Sequence, residues 1–120
     1  VGFPGETEAD FEQSCAFIRT MQFANLHVFS YSKRAGTPAA EMPGQVPEAV
    51  KKERHRVLEA LGESMAAAFR QSQLGKILPV IFETVDSRGA AHGWSDNYLA
   101  VSRPAGEVEL RRIVPVEYHG

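Results

Sequence analysis

The sequence holds a single cysteine, Cys15, among its 120 residues. One thiol excludes an internal disulfide framework and any cluster held by several cysteines of this chain, and it fits a reducing cytoplasm. The four histidines, His27, His55, His92 and His119, are scattered without metal-ligand spacing, so no metal site is expected. Long apolar runs are also missing. Nothing approaches the roughly 20 residues that cross a bilayer, and no signal-peptide pattern opens the chain. Neither sign of charge dominates: 13 Lys and Arg stand against 15 Asp and Glu, a net charge of −2. There is no global pull toward nucleic acid or an anionic membrane, so any such role must come from local clusters. No Ser-His-Asp set and no paired catalytic carboxylates can be argued. An initiating methionine is absent as well, and Val1-Gly2-Phe3-Pro4-Gly5 reads as the end of a strand that began upstream. The chain is expected to be a piece of a longer protein.

What is present is a globular composition, 43% hydrophobic, which is enough for a buried core. Thr7-Glu8-Ala9-Asp10 has the form of a capping box. Phe11, Cys15, Ile18 and Met21 follow at helical spacing, which predicts a helix from about Glu8 to Gln22. Phe23 to Phe29 reads as a strand with Leu26 and Val28 on one face, completing half of an α/β repeat. Prolines punctuate the next loop. A second helix is expected from Pro47 or Glu48 to about Gln73, with Val50, Val57, Leu58, Leu61, Met65 and Phe69 on its apolar side and Gly75 as its stop. After that the pattern changes. Lys76–Thr84 reads as a strand that Pro79 places at an edge or bulge, His92–Val101 as a hairpin, and Glu109–Tyr118 as a last strand. Short strands at this density predict a small barrel. The expected division is 1–75, an α/β fragment with its linking helix, and 76–120, all β.

Several stretches could carry chemistry, and each has a plain structural alternative. Gly2 to Thr7 joins a strand end to a helix start, where backbone amides can face an anion; it can equally be a tight turn. Lys33 and Arg34, with Ser30, Tyr31, Ser32 and Thr37, form a donor-rich loop in which an arginine fork could hold phosphate or carboxylate; it can also be solvated chain. From Lys33 to Arg56 six basic residues outnumber three Glu, as an RNA patch would. The same run is expected on a solvated helix face with Glu48–Lys52 pairing. Trp94 and Tyr98 flank Ser95-Asp96-Asn97 and could stack on unpaired bases, although Trp94 by itself reads as core. Cys15 lies on the apolar stripe and reads as a packed thiol.

Two long motifs carry a family resemblance. They are Val1-Gly-Phe-Pro-Gly-Glu-Thr-Glu-x-Asp-Phe11 and His27-Val-Phe-x-Tyr-Ser-x-Arg-x-Gly-Thr-Pro-Ala-Ala40, followed by Met42-Pro43, Gln45-Val-Pro47 and Lys52-Glu-Arg54. In this order, and with a β segment containing Gly93-Trp-Ser-Asp-Asn-Tyr98 behind them, they resemble the radical S-adenosylmethionine methylthiotransferases. The match looks nearest to the tRNA branch that acts on N(6)-threonylcarbamoyladenosine beside the anticodon. The chain departs from the family pattern at Ser30 and Ala35, where proline is usual.

The resemblance implies a whole enzyme with an auxiliary iron–sulfur domain, a radical barrel and a terminal TRAM domain. That enzyme would use S-adenosylmethionine and two [4Fe-4S] clusters. Neither set of cluster cysteines is in this chain, so it holds no catalytic residue and is expected to be inactive alone. It would supply the end of the (β/α) barrel as a helix–strand–helix α/β fragment, then the small all-β TRAM barrel as 76–120. Gly2, Phe3, Pro4, Gly5 and Glu6 would shape the cofactor pocket, and Ser32, Arg34 and Thr37 would face the substrate nucleotide. Lys76, Asn97, Tyr98 and Arg103 would belong to the RNA surface. Expected partners are tRNA and the N-terminal part of the same polypeptide, not a membrane, with self-association through exposed barrel edges. Two other readings stay open at this stage: a stand-alone RNA-binding module, and a methylthiotransferase acting on a ribosomal protein.

Overall fold

Thr7 starts the first helix, α1 (Glu8–Met21), through the capping box expected of it. The Asp10 amide donates to the Thr7 hydroxyl at 3.1 Å, and the Asp10 carboxylate accepts the Thr7 amide at 2.9 Å. Gln22 ends the helix in the left-handed region. A computed structural model describes residues 1–120, which form two units, Val1–Phe69 and Arg70–Gly120. Besides α1, the first unit contains a single turn, α2 (Pro38–Glu41), and most of α3 (Glu48–Gln73). The last turn of α3 belongs to the second unit, with strands β1 (Ile77–Val85), β2 (Ala90–Ser95), β3 (Ala100–Pro104) and β4 (Ile113–Glu117).

In the first unit Phe11, Cys15 and Leu58 form the buried centre, with Val1, Ile18, Val28, Val57 and Leu61 packed around them. Met21, expected on the same stripe, is instead exposed, as is Phe17. The expected strand Phe23–Phe29 does not form a ladder. Its alternation survives, since Leu26 and Val28 turn inward between exposed neighbours. However, a strand exists only by lateral pairing, and the one partner beside it is Val1. The Val1 amino group donates to Phe29 O at 2.7 Å and the Tyr31 amide donates to Val1 O at 2.7 Å. Those two bonds bracket Ser30 as a single rung of a parallel ladder. The following loop is not wholly irregular: Pro38 opens α2, and the Gln45 amide holds the end of that turn through Ala39 O and Met42 O, both at 2.9 Å.

The second unit is a four-stranded antiparallel sheet in the order β3-β2-β1-β4. Leu78, Val80 and Phe82 of β1 turn inward with Ala91, Val101 and Tyr118. Pro79 sits in an interior strand, not at an edge, and the bulge lies further along, between Phe82 and Thr84. The register explains why a proline is tolerated there. Pro79 faces Pro115 across the β1–β4 pair, and its carbonyl turns the other way to accept the Asp96 amide. Its missing N–H therefore removes a bond only where the β1–β2 ladder is already ending. The last strand is shorter than expected because Glu109–Arg112 bends, with Arg111 left-handed and its amide on Phe82 O. Gly93 permits the close pairing of β1 and β2, since a Cβ there would lie 2.2 Å from Ile81 O. The overall class, an α/β lead followed by a small β unit, is as expected, but the sheet stops short of a closed barrel. Between its edge strands the contact is a side chain: Arg103 of β3 donates to Glu117 O of β4.

Candidate functional site

The Gly2–Glu6 and 30–47 loops come together in the first unit. Gly5 N–H donates to Gly44 O at 2.8 Å, Val1 pairs with Phe29 and Tyr31, and the Phe3 ring meets the edge of Tyr31 at 5.4 Å. Behind them stand two buried cations of α3, Lys51 and Arg54. Arg54 donates to Glu6 O at 3.1 Å, Glu6 Oε1 at 2.6 Å and Glu8 Oε2 at 3.1 Å, and covers the Phe11 ring. Burial opposes its charge, while the Glu8 and Glu6 carboxylates favour it and hold its pKa above the ordinary value. Lys51 donates to Glu48 at 2.6 Å and Tyr31 O at 3.3 Å, and lies over the Tyr31 ring. Glu48 thus pairs with Lys51, not with Lys52 as expected.

This arrangement divides the basic run. Lys51 and Arg54 are framework, Arg56 is paired with Glu53, and Lys33, Arg34 and Lys52 are exposed without an ion pair. Nothing in the spacing along α3 marks Lys51 and Arg54 as buried. The Arg54 partners Glu6 and Glu8 lie more than forty residues away, and Lys51 reaches Tyr31 O twenty residues back as well as the neighbouring Glu48.

The expected cofactor loop is largely satisfied within itself. Gly2 N–H donates to Glu6 Oε1 at 3.0 Å, Glu6 N–H donates to Phe3 O, Gly5 N–H is taken by Gly44, and Pro4 has none. What it presents outward is the half-exposed Phe3 ring and the Gly5 backbone. Gly2 cannot carry a side chain: its φ is +75°, and a Cβ would lie 2.4 Å from Lys51 Cγ. In the second loop Ser32 and Arg34 are exposed, while Thr37 is half-buried with its hydroxyl donating to Arg34 O at 2.8 Å. Thr37 fixes the backbone from which Arg34 projects. The structure therefore places these loops side by side and leaves Arg34 free to meet an anion.

In the second unit the four expected RNA residues do not form one surface of donors. Asn97 accepts from the Ser95 hydroxyl at 2.6 Å and donates to Gln73 Oε1 at 3.3 Å, so its amide closes the hairpin turn. Lys76 is exposed but reaches the same Gln73 oxygen. Arg103 bridges to Glu117 O. Tyr98 alone is free, 87% exposed. Trp94, read as core, is half-exposed beside it on the outer sheet face.

Iron–sulfur ligation does not fit these residues. Cys15 is buried in the helical core and burial pushes its thiol up, and no three His, Cys, Asp or Glu gather as metal ligands. No helix is long and apolar enough to cross a membrane.

No family model matches the chain. Individual proteins do. It is 47% identical over 111 residues to the tRNA-2-methylthio-N(6)-dimethylallyladenosine synthase of Maricaulis maris, covering 92% of this chain and 24% of that protein. It is 40% identical over 121 residues to the threonylcarbamoyladenosine tRNA methylthiotransferase MtaB of Bacillus subtilis, covering 98% and 27%. It is 45% identical over 121 residues to the ribosomal protein uS12 methylthiotransferase RimO of Gloeobacter violaceus, covering 97% and 28%. The chain thus spans about a quarter of the length of the curated relatives it matches, and the three names divide between tRNA and a ribosomal protein. Over that quarter of their length, the chain belongs to the radical S-adenosylmethionine methylthiotransferase family.

Proposed function

We propose that this chain is the C-terminal segment of a tRNA methylthiotransferase that adds a methylthio group to N(6)-threonylcarbamoyladenosine next to the anticodon. The observation that carries the reading is the joining of the Gly2–Glu6 and 30–47 loops on a buried Lys51–Arg54 framework, with Arg34 unpaired at the rim. In the whole enzyme, S-adenosylmethionine and two [4Fe-4S] clusters supply the radical chemistry, and the cluster ligands lie outside this chain. Phe3 and the Gly5 backbone, backed by Gly2, Pro4 and Glu6, wall the cofactor pocket. Ser32 and Arg34, positioned by Thr37, meet the substrate. The threonylcarbamoyl group ends in a carboxylate, which an exposed arginine fork can grip and a dimethylallyl group cannot offer. The second unit contributes to holding tRNA through the exposed Lys76 and the half-buried Arg103, with Asn97 closing the hairpin turn beside them.

Phe17, Met21 and Phe29 leave apolar side chains exposed in the first unit, which the N-terminal part of the same polypeptide would cover. A charge-assisted hydrogen bond of the Arg34 kind is worth about 1.5–3 kcal/mol. In the whole enzyme Arg34→Ala should therefore lower turnover on threonylcarbamoylated tRNA roughly ten- to a hundredfold. Unchanged tRNA affinity and turnover would remove Arg34 from the site. The second reading, a ribosomal-protein substrate, has the Gloeobacter relative in its favour, and modification of uS12 in place of tRNA would select it.

A further inference from the structure

The outer face of the second unit's sheet carries a hollow of about 570 Å³. Its floor is aliphatic and aromatic: Ile81 lies between Ile113 and Trp94 in the register of β4, β1 and β2, and Tyr98 stands at one side. The charged groups lining it are Glu83 and Asp96, both exposed and neither in an ion pair, and no Lys or Arg joins them. Tyr98 is held there at φ +64°, a left-handed conformation that costs a non-glycine residue about 1–2 kcal/mol, with its ring almost wholly in solvent. That conformation closes the three-residue hairpin loop, in which the Tyr98 amide donates to Ser95 O at 3.0 Å and the Ser95 amide to Leu99 O at 2.9 Å, and it leaves the ring standing beside the hollow.

Charge decides what fits. Two unpaired carboxylates and no cation repel a phosphate backbone, although either ring could stack on a base. A peptide laid on this floor would turn its amides onto Ile81, Ile113 and Trp94, which offer them no partner. Aromatic faces combined with carboxylates favour organic cations. The spacing of the two acids adds a length. The Asp96 amide bonds to Pro79 O, so Asp96 sits level with Pro79, four residues from Glu83 along β1. At about 3.3 Å per residue the two acidic positions are roughly 13 Å apart.

We propose that this hollow binds a linear aliphatic polyamine, with an ammonium group near Asp96, another near Glu83, and the methylene chain lying over Ile81 and Trp94. Trp94 is the only tryptophan of the chain, so its fluorescence reports the site directly. The test titrates the full chain with α,ω-diamines of increasing length and with spermine, and follows Trp94 emission. Saturable quenching should strengthen with length until the two ends reach both acids. A monoamine of equal length should bind more weakly. Glu83→Gln and Asp96→Asn, both exposed positions, should each weaken the long diamine about two- to fivefold, the range of an exposed ion pair. The short diamine, which reaches only one of the acids, should be weakened by one of the two substitutions and not by the other. Three outcomes would overturn the proposal: no saturable change with any amine, binding indifferent to length and to both substitutions, or stronger quenching by a single-stranded oligoribonucleotide or a lysine-containing peptide than by the diamine.

Discussion

Removing the Arg54 guanidinium should unfasten the first unit. Its side chain is buried and bonded to the Glu6 carboxylate at 2.6 Å, the Glu6 carbonyl at 3.1 Å and Glu8 at 3.1 Å. These contacts are not equal. The Glu8 side chain is 68% exposed, and a pair of that kind contributes at most about 1 kcal/mol. The Glu6 side chain is only 20% exposed, so Arg54→Ala strands a mostly buried carboxylate and a carbonyl. Breaking a buried pair from one side costs roughly 3–5 kcal/mol. Here the lower end applies, about 3 kcal/mol, because Glu6 keeps the Gly2 amide and some access to water. That is a large share of the ~5–15 kcal/mol that holds an ordinary domain. The assay is urea unfolding followed by far-ultraviolet circular dichroism, which reads the helices, with Trp94 emission reading the second unit separately. The helical transition should move to lower urea in Arg54→Ala, and Arg54→Lys should recover part of the loss by keeping the charge without the fork. A change below about 0.5 kcal/mol in Arg54→Ala would refute the reasoning, since the contact would then behave as a surface ion pair.

Three further outcomes are expected. Gly93→Ala should destabilise the sheet by at least about 1–3 kcal/mol, because its Cβ would sit 2.2 Å from Ile81 O, a backbone atom that cannot step aside; an unchanged Trp94 unfolding midpoint would contradict this. Cys15, buried and with its thiol pushed up by burial, should resist a thiol-specific reagent in the folded protein and react at the rate of a free cysteine in urea; fast reaction in native buffer would contradict its packing. The His92 ring beside Asp86, with the Ala90 and Arg88 amides, holds the Asp86 carboxyl below the usual carboxylate range. A lowered folded pKa stabilises above the unfolded value of about 3.9, and that contribution is lost as pH falls through the folded value. The stability gap between the native chain and Asp86→Asn should therefore narrow as pH drops below about 4; a gap constant through that range would deny the linkage.

Local signals in the sequence were readable and long-range ones were not. The capping box at Thr7, the span of α3 and the hairpin around Gly93–Tyr98 depend on residues within a few positions of one another, and each is where periodicity and capping chemistry put it. The strand expected at Phe23–Phe29 has the right alternation but lacks neighbours, because pairing is a property of the surroundings and not of the segment. Lys51 and Arg54 fall in a run that reads as a solvated helix face. What buries them is Glu6 and Tyr31, which spacing along α3 cannot announce. Trp94 reads as core in the sequence, yet its ring is half-exposed. Which face of β2 turns inward is decided by Gly93, whose bare α-carbon must lie against β1. The two loops of the candidate site were legible as motifs, while their closeness through Gly5–Gly44 and Phe3–Tyr31 needed the fold.

The most direct measurement of the proposed activity is nucleoside mass spectrometry of tRNA from cells lacking the gene that encodes this segment, and from the same cells with it restored. Loss of the methylthio group from threonylcarbamoyladenosine, its return with the native gene and its failure to return with Arg34→Ala are the expected results. An unaltered threonylcarbamoyladenosine fraction, with the methylthio group lost instead from dimethylallyladenosine or from a ribosomal protein, would contradict the proposed substrate.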